Sequence, residues 1–337
     1  MHSGRSDDRS HARRATHRRA ASARCQPLLL AAVLAVALSV RSEGALSAGK
    51  PAGAPPHATA ASGSAASLST VTIEAAREKR QLMRQVSRFV FSVTISYMYD
   101  SMPRWDEPVC PLVAGLPRAQ GDYILARITR IATAADAPVA GEHCRPNLLV
   151  VATPYPDRLL GKWLDRDPLM YNTCSGYGAI SAFLHSKRPV RVWYNTVPVS
   201  GTGSREPPAD LDAPAVGVSL GPTMGCITGG SGTLGLSQVY IVVDMRQMTG
   251  LSIGQLADYV ALIGLAQIQL DTRPAGPSIL TLFEHGKAAP HGLSAWDCAL
   301  LYALYHTSQD TGPDGLLQIS RIRNNMVSQI LSSARKR

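Results

Sequence analysis

Residues 251–270 read LSIGQLADYVALIGLAQIQL. The stretch holds no Pro and one charge, Asp258, and Ser252 stands where a hydroxyl caps the backbone N–H of Gly254 or Gln255. Apolar residues at Leu256, Tyr259, Val260, Ile263 and from Leu265 to Leu270 cover most of a helical surface. The pattern predicts a buried central helix at about 251–268, near the C-terminal end of the folded part.

The spacing inside this helix carries a second message. A metallopeptidase helix needs His at i and i+4 to grip zinc, an acid at i+1 as general base, and, in its extended form, a Gly that turns the chain toward a third ligand. Here Ala257, Ala261 and Gln267 occupy the ligand positions, Asp258 the base and Gly264 the turn. Alanine binds no metal. The reading is a candidate cleft of Ala257, Asp258, Ala261 and Gln267 with no metal ligand, no cofactor and no assigned catalytic residue.

The chain has 337 residues, 45% hydrophobic and 17% charged, which suits one medium globular domain with appendages. Its net charge of +10 is uneven, because residues 1–46 carry eight Arg against Asp7, Asp8 and Glu43. No basic stripe with interleaved aromatics occurs further on, which argues against nucleic acid as a partner. The basic start, the apolar run Leu28 to Leu38 and the small residues Gly44 to Ala48 predict a signal peptide over 1–48. The apolar run is about half a bilayer-spanning length, so no transmembrane span is expected in the mature chain. Residues 49–69, rich in Ala, Pro, Gly and Ser, read as a disordered linker, and 70–334 as a single α+β domain.

Within that domain, helical composition from Thr70 leads toward an expected strand at Phe89–Thr94. Gly121 to Ala132 has helical spacing, with Tyr123, Ile124, Ile128 and Ile131 on one side. Cys110 and Cys144 flank a strand–helix–strand unit and are expected to form a disulfide in an exported protein. The pairing of Cys174, Cys226 and Cys298 stays open. Strands are expected at Leu148–Ala152, Val190–Asn195 and Gln238–Asp244, and a short helix at Asp157–Asp165. Residues 196–236 are rich in Gly, Pro and Ser, with Val216–Leu220 strand-like. Gly229-Gly230-Ser231-Gly232 lacks the residues of a phosphate loop or a serine-nucleophile elbow and reads as loop. Glu284, His285 and His291 lack ligand spacing. Pro277 to Thr281 forms an apolar turn, HGLSAWDCALLYALYHT a capped helix, and Leu316 to Ser333 the last helix.

This order of pieces resembles the metzincin-like branch of the zincin peptidases: a last strand, the active-site helix, a turn that contains Met, and a helix of the type L-[ST]-x-x-D-x-x-x-L-x-x-L-Y. The last pattern is matched by Leu293, Ser294, Asp297, Leu301, Leu304 and Tyr305, while Leu280 stands where Met is expected. The resemblance implies a zincin-like twisted mixed sheet packed by helices, in degenerate form. The segments RWDEPVCP, CRPNLLVV and LADYVALIGLAQI also resemble a group of exported proteins of alphaproteobacteria over residues 85–330, which implies export and a shared domain and carries no activity.

Three functions follow as expectations. The first is a periplasmic or secreted, non-catalytic domain whose former cleft binds a peptide, a glycan or an envelope protein. The second is a metal-independent hydrolase pairing Asp258 with Asp244, Glu284 or Asp297, since general acid–base work needs two acids in one pocket. The third is a structural envelope protein without an open cleft.

Overall fold

The computed structural model describes residues 63–95, 102–166, 176–198, 234–284, 290–308 and 315–335. The expected signal peptide, the linker up to residue 62, Val216–Leu220 and the Gly229–Gly232 loop lie outside the described residues.

Helix α1 (Gly63–Val93) takes in the last part of the stretch read as linker. It also replaces the strand expected at Phe89–Thr94. Val86, Phe89, Val90 and Val93 recur on one helical face and are fully buried, so burial is best served by continuing the helix. Only Thr94 makes an isolated antiparallel bridge, to Ile268.

The sheet comprises β1 (Arg104–Trp105), β2 (Pro111–Ala114), β3 (Leu148–Thr153), β4 (Val190–Pro198) and β5 (Leu234–Asp244). β5 is central, parallel to β3 from Leu148↔Val239 to Thr153↔Asp244, and β2 runs parallel on the far side of β3. β1 pairs in parallel with Gly235 and Leu236. β4 alone is antiparallel, running beside β5 from Val190↔Val243 to Pro198↔Leu234. Alternation along β5 sorts its side chains between two faces. Val239, Ile241 and Val243 join the larger core, whereas Tyr240 and Val242 join the smaller one.

On the larger face lie α1, α2 (Arg118–Ala134), α5 (Ile253–Leu265), α6 (Ala295–Tyr305) and α7 (Gly315–Arg335). On the smaller face α3 (Pro156–Leu164) and α4 (Gly176–His185) cover Trp193, Tyr240 and Val242 with Leu160, Ile180 and Phe183. The molecule is thus a mixed α+β fold with a mainly parallel sheet packed by helices. Ile124, Ile128 and Ile131 of α2 face the core, while Tyr123, expected beside them, is exposed. The disulfide Cys110–Cys144 fastens the start of β2 to the loop before β3, with Cα atoms 6.0 Å apart. Cys298 is also disulfide-bonded.

The central helix is shorter than its sequence suggested. Ser252 and Gln255 form a reciprocal capping box at its start, and the helix stops at Leu265, with Ala266 already extended. Gly264 sits inside the helix, where an added Cβ would lie 3.1 Å from both Leu148 methyls, so glycine permits close approach of α5 to β3. The orphan carbonyls at the helix end are each satisfied by an aromatic ring from another element. The Tyr194 hydroxyl donates to Ile263 O at 2.9 Å, Trp105 Nε1 to Gly264 O at 2.8 Å and the Tyr305 hydroxyl to Leu265 O at 2.7 Å.

Candidate functional site

The four residues expected to share a cleft are divided by the fold. Ala257 and Ala261 have no exposure and belong to the large core. Asp258 is also buried, but by polar partners. Arg127 of α2 donates to both of its carboxylate oxygens, and the Leu293 amide donates to Oδ2 at 2.9 Å. The chain before α6 comes so close that a Cβ on Gly292 would lie 2.6 Å from that same oxygen. Asp258 is therefore a tie between α2, α5 and the entry to α6. The charged hydrogen bond to Asp258 pushes the Arg127 guanidinium further up.

Gln267 alone of the four reaches an opening, because the chain turns out of the helix at Ala266. It lines a groove of about 540 Å³, within the usual range for ligand sites. One wall is β4 from Val190 to Tyr194, a second is the segment Gln267 to Asp271, and α4 contributes Ala182 and Phe183, with Ser186 just past its end. Trp193 and Phe183 pack with ring centroids 5.6 Å apart on the α4 side. Tyr194 turns to the other side, where its hydroxyl also accepts from Ile268 N at 3.2 Å. Burial pushes that phenol far above its ordinary range, so it is a neutral linker between the two walls. At one end Arg188 meets Asp271 at 3.1 Å.

The groove follows the outer edge of β4. In an antiparallel ladder alternate residues turn their N–H and C=O toward the partner strand. Asp244 N donates to Pro189 O at 2.8 Å, which sets the phase: residues 191, 193 and 195 face β5, and Val190, Val192 and Tyr194 present their backbone groups outward. Among the described residues no strand pairs with that edge.

The other acids expected to assist Asp258 are committed elsewhere. Asp244 accepts from Arg246 and Gln247, which hold its carboxyl well below the usual range. Glu284 pairs with Arg273 at 3.3 Å. Asp297 is fully buried and accepts from Ser278 Oγ at 2.6 Å, Ile279 N at 2.9 Å and Ser294 N at 2.8 Å. Burial pushes its carboxyl up, and these bonds work against the shift. Asp297 thereby fixes the 3-10 turn Ile279–Thr281 to the start of α6. No three His, Cys, Asp or Glu side chains converge among the described residues.

No family model, curated protein or solved structure matches the chain. The site is therefore argued from its own geometry.

Phe183, Arg191, Trp193 and Tyr194 were not singled out as site residues from the sequence. The segment Val190–Asn195 reads as a strand, but its place at the sheet edge depends on strand order. One local signal was present: Arg191 is a charge inside an otherwise apolar run. In the structure it is only 5% exposed.

Proposed function

We propose that the chain is an exported, non-catalytic binding domain that takes up an extended peptide along the outer edge of β4. The observation that carries this reading is the groove beside β4, on whose side Val190, Val192 and Tyr194 turn backbone donors and acceptors that no strand among the described residues claims. A peptide added as a further strand satisfies both rows of backbone groups and places alternate side chains against the two walls. This favours a peptide over a glycan, which carries no matching ladder. An accessible groove also separates this reading from a purely structural envelope role.

A degenerate zincin shape is part of the proposal. Its support is the succession of β5, α5, the turn at Ser278–Leu280 and the capped helix α6, together with the Asp297 bonds that join the turn to that helix. With alanine at two ligand positions, the domain retains recognition without zinc chemistry. Export is supported by the Cys110–Cys144 disulfide, since such bonds persist in oxidising compartments. No helix among the described residues is long and apolar enough to cross a membrane.

The test is hydrogen exchange on the purified full chain, with and without a panel of end-capped, strand-forming peptides. Binding should protect the outward amides of Val190, Val192 and Tyr194. Val192→Pro removes one outward donor without touching the ladder to β5 and should abolish that protection. Peptide binding that protects a different surface, or no binding across the panel, overturns the reading.

A further inference from the structure

The groove contains a charged donor that the fold leaves unmet. Arg191 sits on the α4 side of β4, where Nη1 donates to Leu184 O at 2.8 Å and Nη2 to Asp157 Oδ1 at 2.6 Å. Its Nε–H is enclosed and has no hydrogen-bond partner among the described residues. An enclosed donor without an acceptor is costly, and one on a cation more so. Arg191 lines the groove, so an oxygen brought in along β4 is the available partner.

Two further facts define that oxygen. Arg188 is paired with Asp271 and Arg191 with Asp157, so the charges balance and the unmet demand is for an acceptor at Nε–H. Trp193 lies two residues beyond Arg191 and thus on the same face, where it meets Phe183. The side chains of an added strand that approach this face are likewise two residues apart. Lining residues continue along β4 on both sides of Arg191, which places a side chain rather than a chain end beside it.

Building on the strand-addition reading, we propose that the groove selects peptides in which an acidic side chain, seated against Arg191, is separated by one residue from a large apolar side chain seated against Trp193 and Phe183. The carboxylate supplies the acceptor that Nε–H lacks through a charge-assisted hydrogen bond, while the apolar residue packs beside the aromatic pair. Asp157 remains the outer partner of Arg191. Its side chain is 59% exposed, so it compensates the guanidinium from the solvent side.

The experiment is fluorescence anisotropy with the full chain and a labelled ten-residue peptide of alternating Thr and Val, amidated at its C-terminus, with Glu at position five and Phe at position seven. Replacing that Glu by Gln should weaken binding about tenfold, and by Lys further, as loss of one charge-assisted hydrogen bond predicts. Arg191→Lys keeps the positive charge but lacks the Nε donor, and should remove the preference for Glu over Gln. Equal affinity of the Glu and Gln peptides overturns this inference and leaves strand addition standing. Absence of binding by every peptide overturns both. The peptide series on the unaltered chain decides the matter even if Arg191→Lys fails to fold.

Discussion

Arg127 and Asp258 form a two-pronged ion pair across the α2–α5 interface, with Nη2 to Oδ2 at 3.0 Å and Nε donating to Oδ1. The Asp258 side chain is 5% exposed and that of Arg127 28%. Removing one member strands the other, and the loss of a buried partner is far more costly than the net worth of the pair. Asp258→Ala should therefore lower unfolding free energy by about 3 kcal/mol in urea titration, with the Leu293 amide also left unmet. A change below about 1 kcal/mol would mean that the pair is not formed in solution.

Gly264→Ala poses two effects against each other. Helix propensity favours Ala by about 1 kcal/mol, whereas overpacking a core costs about 1–3 kcal/mol. The contact at 3.1 Å involves both Leu148 methyls, which are themselves fully buried, so repulsion should win. A net loss of about 1 kcal/mol is expected, partly recovered by adding Leu148→Val. Stabilisation by Gly264→Ala alone would show that α5 and β3 are less closely packed.

The Asp244 carboxyl is lowered from its ordinary value of 3.8, chiefly by its hydrogen bonds from Arg246, then from Gln247 and the Arg246 amide. A depressed native value means that the unfolded chain binds the proton first as pH falls. The stabilisation is then complete above about 3.8 and is lost progressively below it. Asp244→Asn should melt at a lower temperature than the parent at neutral pH, with the gap closing as pH drops from 4 toward 2. A gap independent of pH would show that Asp244 acts through something other than its charge.

The Cys110–Cys144 bond closes a sequence separation of 34 residues. Loop-closure entropy for such a ring corresponds to about 2–4 kcal/mol. The double substitution Cys110→Ser, Cys144→Ser should lower stability by that amount while leaving the sheet intact. Asn147 continues to help here, because its Oδ1 accepts from the Cys110 amide at 2.7 Å. If circular dichroism showed loss of the sheet, the bond would instead be required for β2 to dock.

What the sequence made legible was governed by local pattern. Ser252 with Gln255, and Ser294 with Asp297, announce helix starts through side chains that bond only three residues away, and both capping boxes form. The apolar run to Asp244 identifies the central strand, and the spacing of Ile124, Ile128 and Ile131 identifies α2. The end of α1 was misread because Phe89-Val90-Phe91-Ser92-Val93 suits either period, and tertiary burial decided for the helix. The candidate site was harder to see. Placing Ala257 and Ala261 beside Gln267 assumed a helix continuing past Ala266, whereas its carbonyls are claimed by rings from Trp105, Tyr194 and Tyr305. Such contacts span 40 to 159 residues of sequence and leave no local trace.

Those three rings come from β1, β4 and α6, so the end of α5 is where distant parts of the chain meet. No one of them can leave without exposing a helix carbonyl to a dry interior. Amide exchange there should consequently be limited by cooperative opening of the whole domain rather than by fraying, and the wall that begins at Gln267 inherits that resistance. The groove wall that begins at Gln267 is in this sense anchored to the slowest-opening part of the molecule, and it should outlast the fraying of helices that do not touch it.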